Sequence, residues 1–531
     1  MPQMKKRAIT SLLLLLAFMV VLKSQSHGNN IISSIDAEML RDMINYEDEE
    51  KRLFLRTSLC ESIEEKYFFN LFLIRDFKKD KTDFTWNIKI SEVNNSFDFI
   101  LGNYNLRFGS GIIFGKRTLF SGNSFDKSFS LSKDKKIITS TGTNPAGSLF
   151  GIASDIYFNE ENIKTGIVPF FSIQRRYIKE EEISQGYITS TLQTLTYKTE
   201  KDGSYNAPVD ILTSGLMSYC NIYDLLKIQL YYSQTEIKDP NMNEIKWEFN
   251  KSLQSGIKKY SVTGLFIEYT DENISLFIEP AISIREFDNN LKGHGLVWGI
   301  TVRNRIAYLS IKGKNCDENF FAEHSNSSIN PSNIFEITSG FMLCDKYEFG
   351  ASVYNEKNLN PSYQRDYISG IRKEEIFFNL NPFKIISFSG KAASSGSYRD
   401  DLREKKNKIS GSTTIAPWQN FFFKLRGDIQ EIDKVKSFSG FCEIKLLFLQ
   451  NFSFMAGAGF ININNENYIY STVPPTSEAE MSCNLFKESA RAYATKLKYR
   501  KEDMSFHIRC EYLKFSSGKE LTTEFSLGFI F

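Results

Sequence analysis

Histidine is nearly missing from this chain, with four among 531 residues, and proline is scarce at twelve. No Cys-x-x-Cys pair occurs. The seven cysteines (Cys60, Cys220, Cys316, Cys344, Cys442, Cys483, Cys510) stand far apart and are odd in number. That excludes a zinc ribbon, a redox dithiol and a dense disulfide framework. Only Cys316 and Cys344, flanking one loop region, form a candidate pair. His294, His324 and His507 lack neighbours at metal-binding spacing, so neither a metal nor a cofactor is expected. A charge surplus is missing too: 65 Lys and Arg face 63 Asp and Glu, which leaves no electrostatic footprint for a nucleic-acid partner. Past the N-terminus no apolar run approaches 18 residues, so no membrane-crossing helix is expected.

Aromatic residues are abundant instead, with 46 Phe and 25 Tyr. With so little proline, this composition favours strands. The N-terminus sets an export expectation. Lys5, Lys6 and Arg7 precede an apolar run from Leu12 to Leu22, and Ser24-Gln25-Ser26 supplies small residues for cleavage. This is the layout of a secretory signal peptide over 1–26, and no cysteine follows the run to anchor a lipid. Residues 27–64 read as a short periplasmic helical segment. Ser33 and Asp36 are spaced as a capping box, and Met39, Leu40, Met43 and Ile44 form an apolar stripe. That stripe is expected to pack on a barrel floor; the alternative is a periplasmic partner held through 36–64.

From 65 to 531 the chain alternates with period two. Met504, Phe506, Ile508, Cys510 and Tyr512 oppose Ser505, His507, Arg509 and Glu511. Leu226, Ile228, Leu230 and Tyr232 oppose Lys227, Gln229 and Ser233, and Phe421, Phe423, Leu425 and Ile429 oppose Lys424, Arg426 and Asp428. Successive side chains point to opposite faces of a strand, so each segment has an apolar and a charged face. A soluble sandwich alternates as well, but these segments are longer than its strands and match the 9–11 residues needed to cross a bilayer. Connections sort by parity. Short turns such as Asp271-Glu272-Asn273 and Trp418-Gln419-Asn420 alternate with longer stretches such as 317–332, 393–407 and 465–489. Sorting of this kind belongs to a barrel in the outer membrane, with tight periplasmic turns and long outer loops. The fold expected is therefore all-β: a transmembrane antiparallel β-barrel of about 22–24 strands, embedded in outer-membrane lipid. The segment count reaches about 23, an odd number, and the parity breaks between Gly147 and Pro208.

Two stretches resemble known families. Phe525, Leu527, Phe529 and the terminal Phe531 alternate at the C-terminus, which is similar to the signal that the barrel-assembly machinery recognises in outer-membrane barrels. The stretch from Leu101 to Ile113, with Leu101, Gly102, Tyr104, Phe108, Gly109 and Gly111, resembles a motif of uncharacterised outer-membrane barrels. Those barrels often carry an N-terminal helix-hairpin-helix module, which is absent here. Asn103 and Ser110 depart from the family's usual Asp and Gln. The glycines imply a bend or a close backbone approach; no Gly-Lys-Ser/Thr and no following helix appear to make a phosphate loop.

For function the sequence offers a pore or transport channel. In its last third Lys424, Arg426, Lys445, Lys496, Lys498, Arg500 and Arg509 outnumber Asp428, Glu443 and Glu511 on faces expected to line the lumen. That excess implies a mild anion preference, or merely a wall that solvates itself. A structural or surface-binding barrel without conductance is the alternative, using polar loops such as 317–332. A hydrolase would need Ser505 and His507 to act together, yet no third group orients the histidine, so no enzyme is expected. A TonB-dependent transporter is disfavoured, since only about forty residues separate the expected cleavage point from the first expected strand. A self-made plug from Thr118 to Gly147 is the remaining possibility for a loop this long.

Overall fold

The computed structural model describes residues 31–37, 54–63, 67–76, 81–93, 96–113, 136–139, 148–178, 187–188, 207–238, 246–247, 259–286, 291–322, 332–344, 346–359, 369–399, 402–448, 451–463, 469–471, 484–486, 488–501, 504–515 and 517–530. The expected signal peptide therefore lies outside the described residues, as does Phe531.

The main sheet has 25 strands. All but one form a ring in chain order, each antiparallel to the next, and Ile31–Ala37 closes the ring by pairing with both Phe54–Ile63 and Lys519–Ile530. The exception is Ile137–Thr139, a three-residue strand that pairs with Phe97–Leu106. The ring thus holds 24 strands, an even number, as antiparallel closure with both termini at one end requires. Closure leaves no edge, which matters in lipid because no water is there to satisfy unpaired backbone groups.

Two sequence expectations change here. Ile31–Ala37 and Phe54–Ile63 are strands of the wall, not parts of a periplasmic helix, and the supposed capping residues Ser33 and Asp36 both lie in the first of them. The seam explains why: without this pair Tyr67–Asp76 and Lys519–Ile530 would each present an unpaired edge. Met39, Leu40, Met43 and Ile44 lie outside the described residues. Second, 393–407 is no loop. Ile386–Arg399 and Leu402–Trp418 are long partners that run together until Arg399 meets Leu402.

With these changes the parity is regular, including the stretch where it broke, which forms Leu149–Glu160, Ile163–Ile178 and Ala207–Ile222. At the end holding both termini, every connection is three residues or shorter. The other end carries 107–148, 179–206, 239–258 and 463–489. Cys316 and Cys344 sit at opposite ends of the wall: Cys316 ends a strand at the loop rim, and Cys344 lies in a short turn beyond Leu343. Both are free, so the candidate pair does not form.

The wall is inside out relative to a soluble protein. Along Ile274–Glu286, Ser275, Phe277, Glu279, Ala281, Ser283 and Arg285 are buried, whereas Leu276, Ile278 and Ile282 are exposed. Buried Glu and Arg beside exposed Ile reverse the usual sorting and mark a surface meant for hydrocarbon. The largest apolar cluster sits within the lumen, where Tyr104, Phe108, Ile112 and Ile113 pack with Tyr231, Phe266, Phe277 and Phe320.

Candidate functional site

The lumen is entered by the stretch that carries the glycine-rich motif. Leu101, Gly102 and Tyr104 belong to the strand Phe97–Leu106. Its pairing with Lys81–Val93 ends where Gly102 faces Asn87. Gly102 has φ of +101°, and a Cβ there would run into the Trp86 carbonyl, so only glycine fits. The strand then leaves the wall. Asn103 takes over the hydrogen bond that the wall loses: its Oδ1 accepts from the Trp86 N–H at 3.0 Å, and its Nδ2 donates to Ser148 Oγ at 3.2 Å. Tyr104, fully buried, donates its hydroxyl to the Phe171 carbonyl at 3.0 Å.

Residues 107–113 run inside the ring and seat on Leu226–Lys238, Lys259–Thr270, Ile274–Glu286 and Leu291–Arg303. Phe108 packs on Tyr231 with ring centroids 5.0 Å apart. Gly109 (φ +46°) donates its N–H to Gln229 Oε1 at 3.0 Å, and Ser110 donates its N–H to Glu279 Oε2 at 2.5 Å. Gly111, with φ of +96°, completes the bend. Two left-handed glycines flanking Ser110 turn backbone N–H groups toward one point, a concavity suited to an anion. Glu279 fills it. Its side chain is fully buried, and no ion pair reaches it among the described residues. Ile112 and Ile113 then seat against Gly295 and Gly264, which a larger residue would displace.

The loop rim adds to this filling. Phe321 packs edge-on against Tyr260 at 4.8 Å and donates its N–H to Ser283 Oγ at 3.0 Å. Charged groups in this region are buried in couples: Lys227 with Glu268 at 3.9 Å, and Asp155 accepting from the Tyr219 hydroxyl at 2.9 Å. The motif is therefore an inward-folded strap. The plug considered over 118–147 lies outside the described residues except for 136–139, where Ile137–Thr139 pairs with Phe97–Leu106; the strap at 107–113 is a separate, earlier stretch.

A second stretch of the lumen wall is formed by the strands between Ser369 and Phe448, and among the described residues 107–113 make no contact with it. Lys424, Arg426 and Lys445 face the lumen there, while Leu425 and Ile429 between and beyond them are 44% and 49% exposed on the outer face. Lys445 lies over the Phe422 ring. Lys496 is buried on the same inner face, opposite Met455, and Lys498 two residues on is exposed. Arg500 and Arg509 stand opposite Ser505 and Lys496 in register; their side chains lie outside the described residues. Ser505 and His507 have Arg500 and Lys498 as register partners on one side and Gly528 and Ser526 on the other, with no carboxylate among them. Phe525, Leu527 and Phe529 lie in the closing strand opposite Ile508, Phe506 and Met504.

Some residues of this stretch have no mark in the sequence. Glu375 and Lys391 pair at 2.6 Å, and Lys408 approaches Asp428 at 3.9 Å. Period-two alternation places Glu375 inward, but nothing in the sequence says that Lys391 lies diagonal to it, opposite Phe377. Together with Asn379, Ser389, Ser410 and Ser412, these strands line a recess of about 400 Å³.

No protein-family model matches the chain, and no curated protein matches it. Among solved structures, the P pilus usher (PapC) translocation pore covers 94% of this chain and 98% of its own, at 9% identity and a TM-score of 0.40. The siderophore receptor PirA from Pseudomonas aeruginosa covers 95% and 80%, at 6% identity and a TM-score of 0.45. OccAB1 from Acinetobacter baumannii covers 70% and 97%, at 8% identity and a TM-score of 0.33. The class rests on the strands themselves: this is a closed, transmembrane antiparallel β-barrel with a strap across part of its lumen.

Proposed function

We propose that the chain is a transport barrel of the outer membrane that passes small anionic solutes through the part of its lumen lined by the strands between Ser369 and Phe448. The observation that carries this reading is the wall from Ser369 to Phe448, where lysine and arginine face water inside the ring while leucine and isoleucine face outward. Charged residues lining a barrel tune which ions enter, and a cationic excess favours anions. The outer-membrane location is supported by strand length and by connections sorted short at one end of the ring and long at the other.

Reversal potential under a potassium chloride gradient, measured on the refolded full chain in planar bilayers, tests the proposal. Anion selectivity is the expected result. Cation selectivity, or no conductance at all, overturns it.

A further inference from the structure

The lumen wall from Ser369 to Phe448 repeats one arrangement three times. Glu375 lies between Lys373 at 2.7 Å and Lys391 at 2.6 Å. Asp428 lies between Arg426 at 2.9 Å and Lys408 at 3.9 Å. Glu443 stands opposite Lys424 in register, with Lys445 two residues along the same face. Each carboxylate has two cations, so this patch of five adjacent strands carries six cations against three carboxylates. Nearer the loop rim the same face adds Lys406 and Glu404, which leave that surplus unchanged.

Depth separates the two signs. The side chains of Glu375 and Asp428 are 0% exposed, whereas those of Lys373 and Lys391 are 40% and 43% exposed and those of Lys408 and Arg426 are 29% and 30%. The carboxylates thus form a floor against the wall, and the cations form the surface that meets solvent. A floor of this kind holds long, flexible cations in place without presenting negative charge to an incoming anion. One cation per carboxylate would suffice to neutralise the floor, so neutralisation does not account for the second.

Hydroxyl groups complete the surface. Ser389 and Ser412 oxygens lie 2.7 Å apart across two strands, and Ser410 shares their recess with Lys408 and Lys424. An ammonium carries three donors and a guanidinium five, so pairing with a carboxylate leaves donors that point elsewhere. Donors on several strands, with a planar guanidinium among them, suit a tetrahedral oxyanion with two negative charges better than a halide.

We propose that this wall is a binding site for the phosphate group of a doubly charged solute, on the lumen face where a solute crossing the barrel can meet it. The site rests on the transport reading for its access, but binding and conductance are separable. A lone sulfate or phosphate ion and a phosphate ester share this chemistry, and comparison of probes distinguishes them.

The test uses the refolded full chain. Chloride current is recorded in planar bilayers while inorganic phosphate, and separately glycerol phosphate, is added; equilibrium dialysis of labelled phosphate against the same protein in detergent reads binding without current. Saturable block by phosphate is expected, with its half-block concentration raised at least tenfold in Arg426→Gln. Because that change thins the pairing of buried Asp428, the double variant Lys424→Gln with Lys445→Gln provides a second reading at more accessible side chains, and the same direction is expected. Stronger block by glycerol phosphate than by phosphate assigns the ester as the ligand; the reverse assigns the free ion. Chloride current with neither block nor binding overturns the site and leaves the transport reading standing. Binding without any current supports the site and overturns the transport reading. Folded variants that retain undiminished block also overturn the site.

Discussion

The backbone N–H of Ser110 meets the carboxylate of Glu279 at 2.5 Å, 169 residues away in sequence. A buried carboxylate without an ion-pair partner is costly unless hydrogen-bonded, and here the strap itself supplies the donor. Glu279 and the strap therefore hold each other: the wall fixes the bend, and the bend donates to Glu279 Oε2, while the buried Oε1 has no hydrogen-bond partner among the described residues. Glu279→Ala removes the anchor and leaves the strap's N–H groups without an acceptor. The expected cost is about 2–4 kcal/mol in urea unfolding from lipid vesicles, from one charge-assisted hydrogen bond and the groups orphaned by its loss. Basal conductance is expected to rise at least twofold as the strap loosens. Unchanged current in a folded variant would mean that the strap does not restrict the pore.

Gly102 is where the strap departs, and its backbone permits no substitute. Gly102→Ala forces a Cβ toward the Trp86 carbonyl at φ +101°. A loss of about 1–3 kcal/mol is expected, the usual range for a side chain held in a strained conformation. Gly411→Ala is the control: its Cβ meets nothing nearer than the Ser389 carbonyl at 3.9 Å. Equal losses at the two positions would refute the role given to Gly102.

Leu425 lies between Lys424 and Arg426 and points the other way, 44% exposed. Leu425→Arg would place on the lipid side the same charge that its neighbours place in water. About 2–4 kcal/mol of destabilisation is expected near the bilayer midplane. Ser412→Arg, facing the lumen, should cost under about 1 kcal/mol, because a lumen residue keeps its hydration. The comparison is made by unfolding both variants from vesicles, and a reversed order would contradict the assigned faces.

At the turn end, Asp271 accepts the N–H groups of Asn273 and Ile274, both at 2.7 Å. These bonds favour the ionised carboxylate and hold its pKa below the usual range for aspartate. A depressed folded value means that the turn's added stability is present above the unfolded pKa, near 3.9, and is lost as pH falls through the folded value. Site-specific carbon NMR of the Asp271 carboxyl should give a midpoint under that of a free aspartate. In Asp271→Ala the low-pH part of the unfolding profile should flatten, and a profile identical to the parent would remove this turn from the acid response.

Much of the wall was legible before any coordinates. Alternation along 226–232, 421–429 and 437–448 follows from the two unlike media on either side of a strand, so each strand records locally which face meets hydrocarbon. The faces of Lys424, Arg426 and Lys445 came from that rule alone. It failed where local signals conflicted with closure. Ser33 and Asp36 have the spacing of a helix start, yet Ile31–Ala37 is a strand, because the ring must pair its last edge. The polar run 393–407 looks like a loop, yet both halves extend paired strands past the apolar band, since alternation loses its contrast where both faces meet water.

The site divides the same way. By itself the sequence determined a long alternating chain, its turn spacing, and glycines at 102, 109 and 111 that demand unusual backbone, because each is a local property of the chain. Only the tertiary structure decided that those glycines carry the chain off the wall to Glu279, and that Lys373 and Lys391 grip one Glu375. These are meetings between distant segments, fixed by register around a closed ring. A one-residue shift of any strand would turn its charges from the lumen to the lipid, so the lumen's chemistry exists only once the ring has closed.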